Sequence, residues 1–160
     1  MSHRPEQPAI DPVTRLSILA AALPGAALRQ RRIAAPFDAV WHVIADLEHA
    51  TPRYEPGVAR VTITGRHGER LQLLVRNTDG REETMDMRLR PGWCLMQSPT
   101  IIIAFAARPL NSQTVLAHLE HRRGAAPIPG PGGSRQRRAA RAKIDQELHT
   151  IESLATQARY

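Results

Sequence analysis

The 160-residue chain is poor in cysteine and in aromatic side chains. Its one cysteine, Cys94, cannot form an internal disulfide, and no group of cysteines and histidines has the spacing of a zinc site, which excludes a disulfide-stapled secreted scaffold and a structural zinc module. Six aromatic residues are too few for the stacking platform of a single-strand nucleic-acid binder. The fold must therefore rest on an apolar core, and 160 residues with 42% hydrophobic content suit one domain.

No apolar run is long enough to span a membrane. The longest, from Leu16 to Leu28, is interrupted by Pro24-Gly25, whereas a span needs roughly 20 residues. Basic residues before this run leave a signal peptide open as an alternative, but acids at Glu6 and Asp11 argue against it. We expect a cytoplasmic protein, with an N-terminal arm at 1–27 that holds a short helix between Asp11 and Pro24.

Acidic residues are absent between positions 122 and 143, where seven bases equal the whole net charge of +7. Lysine is scarce too, since 21 of the 22 bases are arginine, a bias typical of genomic base composition. The basic segment surrounds Gly124 to Gly133, whose composition predicts a mobile loop. Two interpretations stay open: an anion- or nucleic-acid-binding helix start, and a solvated helix face with ordinary pairs, Arg141 with Asp145 and Lys143 with Glu147.

The periodicity of apolar residues changes along the chain. A strand is predicted over 28–34, and a helix opens at Pro36 with an apolar stripe that includes Trp41. From Val58 the period becomes two, with hairpin signals at 66–69 and at Asp79-Gly80. Further strands are predicted at Met85–Arg90, Trp93–Gln97, Ile101–Ala107 and Thr114–Arg122.

From Ser134 the period returns to 3.6, which predicts a terminal helix of six or seven turns with an apolar seam. A helix, a run of antiparallel strands and a long helix form an α+β layout. An antiparallel sheet that covers so long a helix must curl around it. Because sheet curvature and helix radius need not match, we expect a ligand cavity between them.

Several stretches resemble the SRPBCC superfamily, which includes START domains, birch-pollen-allergen-like proteins and polyketide cyclases. The resemblance covers about residues 28 to 158 and is carried by Arg32-Ile33-Ala34-Ala35-Pro36, Val40-Trp41, Ile44-Ala45-Asp46, Tyr54-Glu55-Pro56-Gly57-Val58, Arg88-Leu89-Arg90-Pro91-Gly92-Trp93, Gln97-Ser98, Ala106-Ala107-Arg108-Pro109, Leu119-Glu120-His121 and the helix from Glu147 to Leu154.

The resemblance implies a helix-grip fold over 28–160, a curved antiparallel sheet wrapped around the C-terminal helix. It also implies a small hydrophobic or amphipathic ligand, polyketide- or lipid-like, bound under that helix. The expected ligand-binding residues are Trp41, Tyr54, Leu73, Met85, Met87, Met96, Phe105, Leu148 and Ile151.

Cyclases of this superfamily use a cavity-facing arginine, and Arg88 is its candidate counterpart. The strand register decides the matter: if Met85, Met87 and Leu89 face the cavity, Asp86 and Arg88 face out. His118 and Glu120 share a strand face and could transfer protons there. The favoured alternative turns Val115, Ala117 and Leu119 inward and leaves His118 and Glu120 in water.

Three functions remain. The first is binding of the hydrophobic ligand without obligatory catalysis, and the second is a polyketide cyclase or dehydratase that uses Arg88, Asp86, His118 and Glu120. The third is an anion-binding module at the basic helix start, although too few aromatics argue against nucleic acid as the partner. No cofactor and no metal are expected, and the chain is expected to be a monomer or a homodimer.

Overall fold

The computed structural model describes residues 9–124 and 128–157, which contain four helices and seven strands. The helices are α1 (Pro12–Ala21), α2 (Phe37–Ala45), α3 (Thr51–Tyr54) and α4 (Gly130–Gln157). The strands are β1 (Ala27–Ile33), β2 (Val58–His67), β3 (Arg70–Asn77), β4 (Glu82–Arg90), β5 (Trp93–Gln97), β6 (Ile101–Leu110) and β7 (Gln113–Arg122).

All seven strands form one antiparallel sheet in the order β1-β7-β6-β5-β4-β3-β2. The strands from β2 to β7 follow one another as a meander because short turns connect them, one of which uses Gly92 at φ +81°. β1 breaks this sequence by pairing with the last strand, from Ala27 opposite Glu120 to Ile33 opposite Thr114. Register irregularities between β2 and β3 are β-bulges of the kind that bend a sheet.

The long helix α4 lies on the concave face of this curved sheet. Its second half carries the predicted seam, with Ile144, Leu148, Ile151 and Ala155 all fully buried. Two ion pairs fix it to the edge strand, Arg29 with Asp145 at 3.0 Å and Arg31 with Glu152 at 2.7 Å. Asp145 therefore pairs with Arg29, whereas the helical spacing predicted Arg141 as its partner.

The convex face of β5, β6 and β7 is also buried, because α1 packs against it. Asp11 caps α1 by accepting hydrogen bonds from the backbone N–H groups of Val13 and Thr14. Leu16 is fully buried against a cluster that includes Trp93 and Leu119. The short helix predicted in the N-terminal arm is therefore part of the packed structure, although the first eight residues lie outside the described ranges.

The α+β class and the element order predicted from the sequence are confirmed. One local prediction is wrong. The loop expected over 124–133 ends earlier, because α4 begins at Gly130 and not at Ser134, while residues 125–127 lie outside the described part. The short helix α3 was not predicted; its Pro52 occupies the first turn, where proline costs no hydrogen bond.

None of the helices in the described ranges has the length and apolar character that a membrane span requires.

Replacing Leu16 by Ala tests whether α1 belongs to the cooperative unit. We expect a loss of about 2–5 kcal/mol in the free energy of unfolding, because the change leaves a cavity in a closed cluster. The matched control is Ile18→Ala on the same helix, whose side chain is 56% exposed and whose loss should stay within about 0.5 kcal/mol. Urea unfolding measures both, and equal effects of the two changes would contradict the packing.

Candidate functional site

The interior between the sheet and the helices holds a cavity of about 40 Å³. Its walls come from α3 and the segments on either side of it, and from the concave face of strands β2 to β7. The wall is mostly apolar: the hydroxyl groups of Thr51 and Tyr54 lie 3.4 Å apart and can bond to each other, and Glu55 and His118 reach the wall at one end. The lining residues are Leu47, Thr51, Tyr54, Glu55, Val58, Val61, Leu73, Val75, Met85, Met96, Ile103, Phe105 and His118.

Five of the nine predicted ligand-binding residues line this cavity: Tyr54, Leu73, Met85, Met96 and Phe105. The other four are buried in the same core but do not reach the cavity wall: Trp41, Met87, Leu148 and Ile151. Trp41 stacks on Phe37 within the first half of the chain, with ring centroids 6.0 Å apart.

Asp86 and Arg88 lie on the opposite face of β4 from the cavity. Their side chains are exposed, whereas Met85 and Met87 between them are buried. The pairing of β4 with β3 fixes this register, because Met85 lies opposite Leu73, which is also buried. The structure therefore does not bring the predicted cyclase arginine or its acidic neighbour to the cavity.

His118 has no exposure to solvent, so the expectation that it meets water is wrong. The expected inward orientation of Val115, Ala117 and Leu119 is also wrong, because these three residues face α1 on the convex side of the sheet. Both faces of β7 are therefore buried. His118 is the direct cross-strand partner of Phe105, and their rings stack in parallel with centroids 4.0 Å apart.

The hydrogen bonds of His118 define its protonation. Its Nδ1 lies 3.0 Å from the carbonyl oxygen of Ala104, which can only accept, so Nδ1 carries a proton. Its Nε2 lies 2.7 Å from Glu147 Oε2, and Glu147 is only 1% exposed. A second proton must lie between these two atoms, which makes the couple a buried imidazolium and carboxylate or its neutral equivalent.

Lys143 brings a third partner to this cluster. Its Nζ lies 3.0 Å from Glu120 Oε1, 3.0 Å from Glu147 Oε1 and 3.1 Å from Glu55 Oε1. The three carboxylates belong to β7, to α4 and to the segment after α3. One ammonium therefore joins three elements at the polar end of the cavity, and its side chain remains 41% exposed on the outer side.

The environment shifts the pKa values of this cluster in opposite directions. Burial alone would lower the pKa of His118, but Glu120 and Glu147 hold its proton and raise the pKa to about 9. Burial and the neighbouring Glu147 carboxylate raise the pKa of Glu55 to about 7. For Glu120, burial is outweighed by His118 and Lys143, which lower its pKa to about 2.

His118, Glu120 and Glu147 each offer a donor atom to a common point, with these atoms within 4.8 Å of one another. Such nitrogen and oxygen donors suit Zn²⁺. Here, however, the Lys143 ammonium lies 3.0 Å from two of the three and already supplies a positive charge. The absence of a bound metal stays a prediction from the sequence.

Sequence analysis missed Glu55 and interpreted Lys143 and Glu147 as an ordinary surface pair. The pair exists, but Glu147 is buried. A signal was present, because Glu147 stands three residues after Ile144 and four before Ile151 and so belongs to the apolar face of α4. An acid at such a position requires a buried partner.

The basic segment lies on the exposed first half of α4. No side chain from Ser134 to Lys143 is buried, and a surface groove of about 480 Å³ separates this half from Arg29. Three helix arginines line the groove: Arg137, Arg138 and Arg141. Binding of an anion there stays a prediction.

The comparison with solved structures finds the same architecture in several proteins of low sequence identity. The crystal structure of TTHA0849 from Thermus thermophilus superposes with a TM-score of 0.64 at 16% identity, over 84% of this chain and 99% of that one. The Zhui aromatase/cyclase from Streptomyces sp. R1128 gives 0.59 at 19%, over 82% and 93%. A START superfamily protein from Mycobacterium smegmatis gives 0.59 at 18%, over 83% and 98%.

The chain has the helix-grip fold that these START-type and aromatase/cyclase structures share. This confirms the resemblance seen in the sequence at the level of the fold. No family model matches the chain, and no curated protein matches it in sequence. The helix-grip architecture thus explains where the cavity lies, whereas what it binds must be inferred from the residues at its wall.

The buried cluster predicts how stability depends on pH. The folded-state pKa of His118, about 9, lies above its ordinary 6.5, so its contribution is complete below pH 6.5 and is lost as the pH rises through 9. The pKa of Glu55 is raised from 4.5 to about 7, so its contribution to stability is also lost as the pH rises, here from 4.5 through 7. The pKa of Glu120 is lowered from 4.5 to about 2, so its contribution to stability is complete above pH 4.5 and is lost as the pH falls toward 2. The free energy of unfolding should therefore be highest near about pH 5 and fall toward pH 9.

Urea unfolding at a series of pH values measures this profile. His118→Gln should flatten the fall between pH 6.5 and 9, because it removes the titrating group. The control His67→Gln, at an exposed position of β2, should keep the profile of the unmodified protein. A profile that is flat over this interval before any substitution would contradict the proposed cluster.

Proposed function

We propose that the protein binds a small hydrophobic or amphipathic molecule in the cavity between the sheet and the helices. The observation that supports this most directly is the distribution of polarity in the cavity wall. Its apolar part is built from side chains of five strands and from α3, and its titratable groups, Glu55 and His118, belong to one cluster at one end. A wall of this kind holds an apolar body and orients it by a few polar contacts.

The present volume limits the guest. A cavity of about 40 Å³ has room for little more than water, whereas ligand sites usually measure roughly 300–1,000 Å³. Binding therefore requires wall side chains to move. Met85 and Met96 suit this role, because an unbranched thioether has three rotatable bonds and adapts to an irregular space. Lys143 can also withdraw into solvent and release the segment that follows α3.

Fluorescence titration with N-phenyl-1-naphthylamine, a neutral apolar probe, tests the proposal. Met85→Ala should tighten binding by roughly threefold or more, because it removes a side chain that must otherwise be displaced. Met87→Ala is the matched control: it lies two residues away on the same buried face of β4 but does not line the cavity, so its affinity should not change.

Circular dichroism confirms that both variants fold, since each change is expected to cost about 2–5 kcal/mol of stability. Equal effects of the two substitutions would place the probe elsewhere. Absence of binding by the unmodified protein and by Met85→Ala would refute the proposal.

A cyclase or dehydratase is the second candidate, and Glu55 is the observation that favours it. Both nitrogens of His118 are occupied, by Ala104 and Glu147, so His118 has no free atom to offer a guest. Glu55 reaches the cavity, and a pKa of about 7 suits a group that both takes and returns a proton. Lys143 would then position Glu55, while burial and Glu147 set its pKa.

In this reaction the Glu55 carboxylate takes a proton from the carbon between two ketones of a poly-β-ketone. The resulting carbanion attacks a ketone carbon further along the same chain, which forms the ring bond. The ketone oxygen takes up a proton and becomes a hydroxyl. Loss of that hydroxyl as water, with removal of a neighbouring proton, leaves the unsaturated ring.

The test is the consumption of a synthetic poly-β-ketone thioester followed at pH 7. Glu55→Gln should slow turnover by roughly a hundredfold or more, because a carboxamide cannot accept the proton. Arg88→Ala should change it by less than about twofold, since the exposed arginine does not reach the cavity. No consumption by the unmodified protein, or an equal loss in both variants, would exclude this activity.

A further inference from the structure

The polar end of the cavity carries more negative than positive charge. Three carboxylates meet there, Glu55, Glu120 and Glu147, against the positive charges of Lys143 and protonated His118. Within residues 9–124 and 128–157, no other charged side chain forms an ion pair with any of these five. The cluster therefore lacks one positive charge when all its acids are ionised.

Two carboxylates of this cluster are incompletely satisfied. Glu147 Oε1 is buried and has no hydrogen bond of good geometry, although Lys143 lies 3.0 Å from it. Glu55 accepts one long backbone hydrogen bond, from Gly57 N at 3.3 Å, and its other partners are the same lysine and the adjacent Glu147 carboxylate. A single ammonium is shared among three carboxylates, so an additional donor at the cavity end would find free acceptors.

The choice of lysine as the shared cation supports room for an additional donor. Lys143 is the only lysine in a chain with 21 arginines. A compact ammonium with three donors can face three carboxylates at once, whereas a planar guanidinium directs its donors into one plane. The cluster is thus shaped for an ammonium-sized group.

We propose that the guest carries a cationic amine at the end of its apolar body and that this amine is bound at Glu55. The inference rests on the binding function proposed above and adds the class of ligand. An amine supplies the missing positive charge, and its N–H groups reach the carboxylate that faces the cavity. A fatty-acid carboxylate would instead add a fourth negative charge to a buried acidic cluster and should be rejected.

The cavity preference runs against the charge of the whole chain. A net charge of +7 attracts anions over long distances, so a preference for amines must arise locally. The raised pKa of Glu55 agrees with this, because burial and the neighbouring Glu147 carboxylate both disfavour its ionised form more than Lys143 favours it. A bound ammonium should therefore displace the proton of Glu55.

Calorimetric titration with three eight-carbon probes tests the inference: n-octylamine, 1-octanol and octanoate, at pH 7 and about 150 mM salt. We expect octylamine to bind roughly tenfold or more tightly than octanoate, with octanol between them, because charge-assisted hydrogen bonds exceed neutral ones. Glu55→Gln should reduce the preference for the amine over octanol to less than about threefold. Glu48→Gln, the same charge change at an exposed site near α3, should preserve it.

Octanoate binding as tightly as octylamine would overturn the inference and leave the binding function standing. Failure of all three probes, together with failure of the naphthylamine, would overturn the binding function itself. An amine preference that survives Glu55→Gln would overturn the assignment to Glu55. Glu55→Asp, which keeps the charge, should retain the preference, and the comparison of probes on the unmodified protein needs no variant at all.

Discussion

The structure depends on burying one carboxylate, Glu147, in the apolar seam of its long helix. A charge in that position costs free energy unless it is paired, and the sheet supplies His118 at 2.7 Å to pair with it. The pairing requires α4 to sit over β7 in one register, because the imidazole is itself fixed by the carbonyl of Ala104. The polar contact thus determines where the helix lies on the sheet, while the apolar seam supplies most of the stabilisation.

This arrangement also leaves one end of the interior polar. Lys143 and Glu120 extend the buried pair toward solvent, and Glu55 extends it toward the cavity. In the function proposed above, the apolar part of the wall holds the body of a guest and the polar end holds its functional group. The second candidate function would use Glu55, because burial and Glu147 raise its pKa to about 7.

The fold could be predicted because each element carries its own local signal. Pro36 and Asp11 start helices, Asp79-Gly80 and Pro91-Gly92 end strands, and alternation placed Met85 and Met87 on a buried face of β4. The same reasoning was wrong for β7, because α1 covers its outer face. With Ala117 and His118 both buried, alternation no longer distinguishes the cavity face from the other face.

The site was harder to predict because it is assembled from distant parts of the chain. Glu55, His118 and Lys143 have no spacing that relates them, and they come together because α4 packs against both β7 and α3. Glu147 could have been recognised from its place in the seam. The predicted arginine at position 88 rested on resemblance alone, and the strand register turns it to the solvent.

The most direct test is to locate a bound guest by nuclear magnetic resonance, using intermolecular NOEs between octylamine and the methyl groups of the protein. The account predicts NOEs from the octyl chain to the methyl groups of Met85, Met96 and Leu73, with none to Met87. NOEs confined to the exposed Ile10 and Ile18 would show that the apolar molecule stays on the surface, and would contradict an interior site.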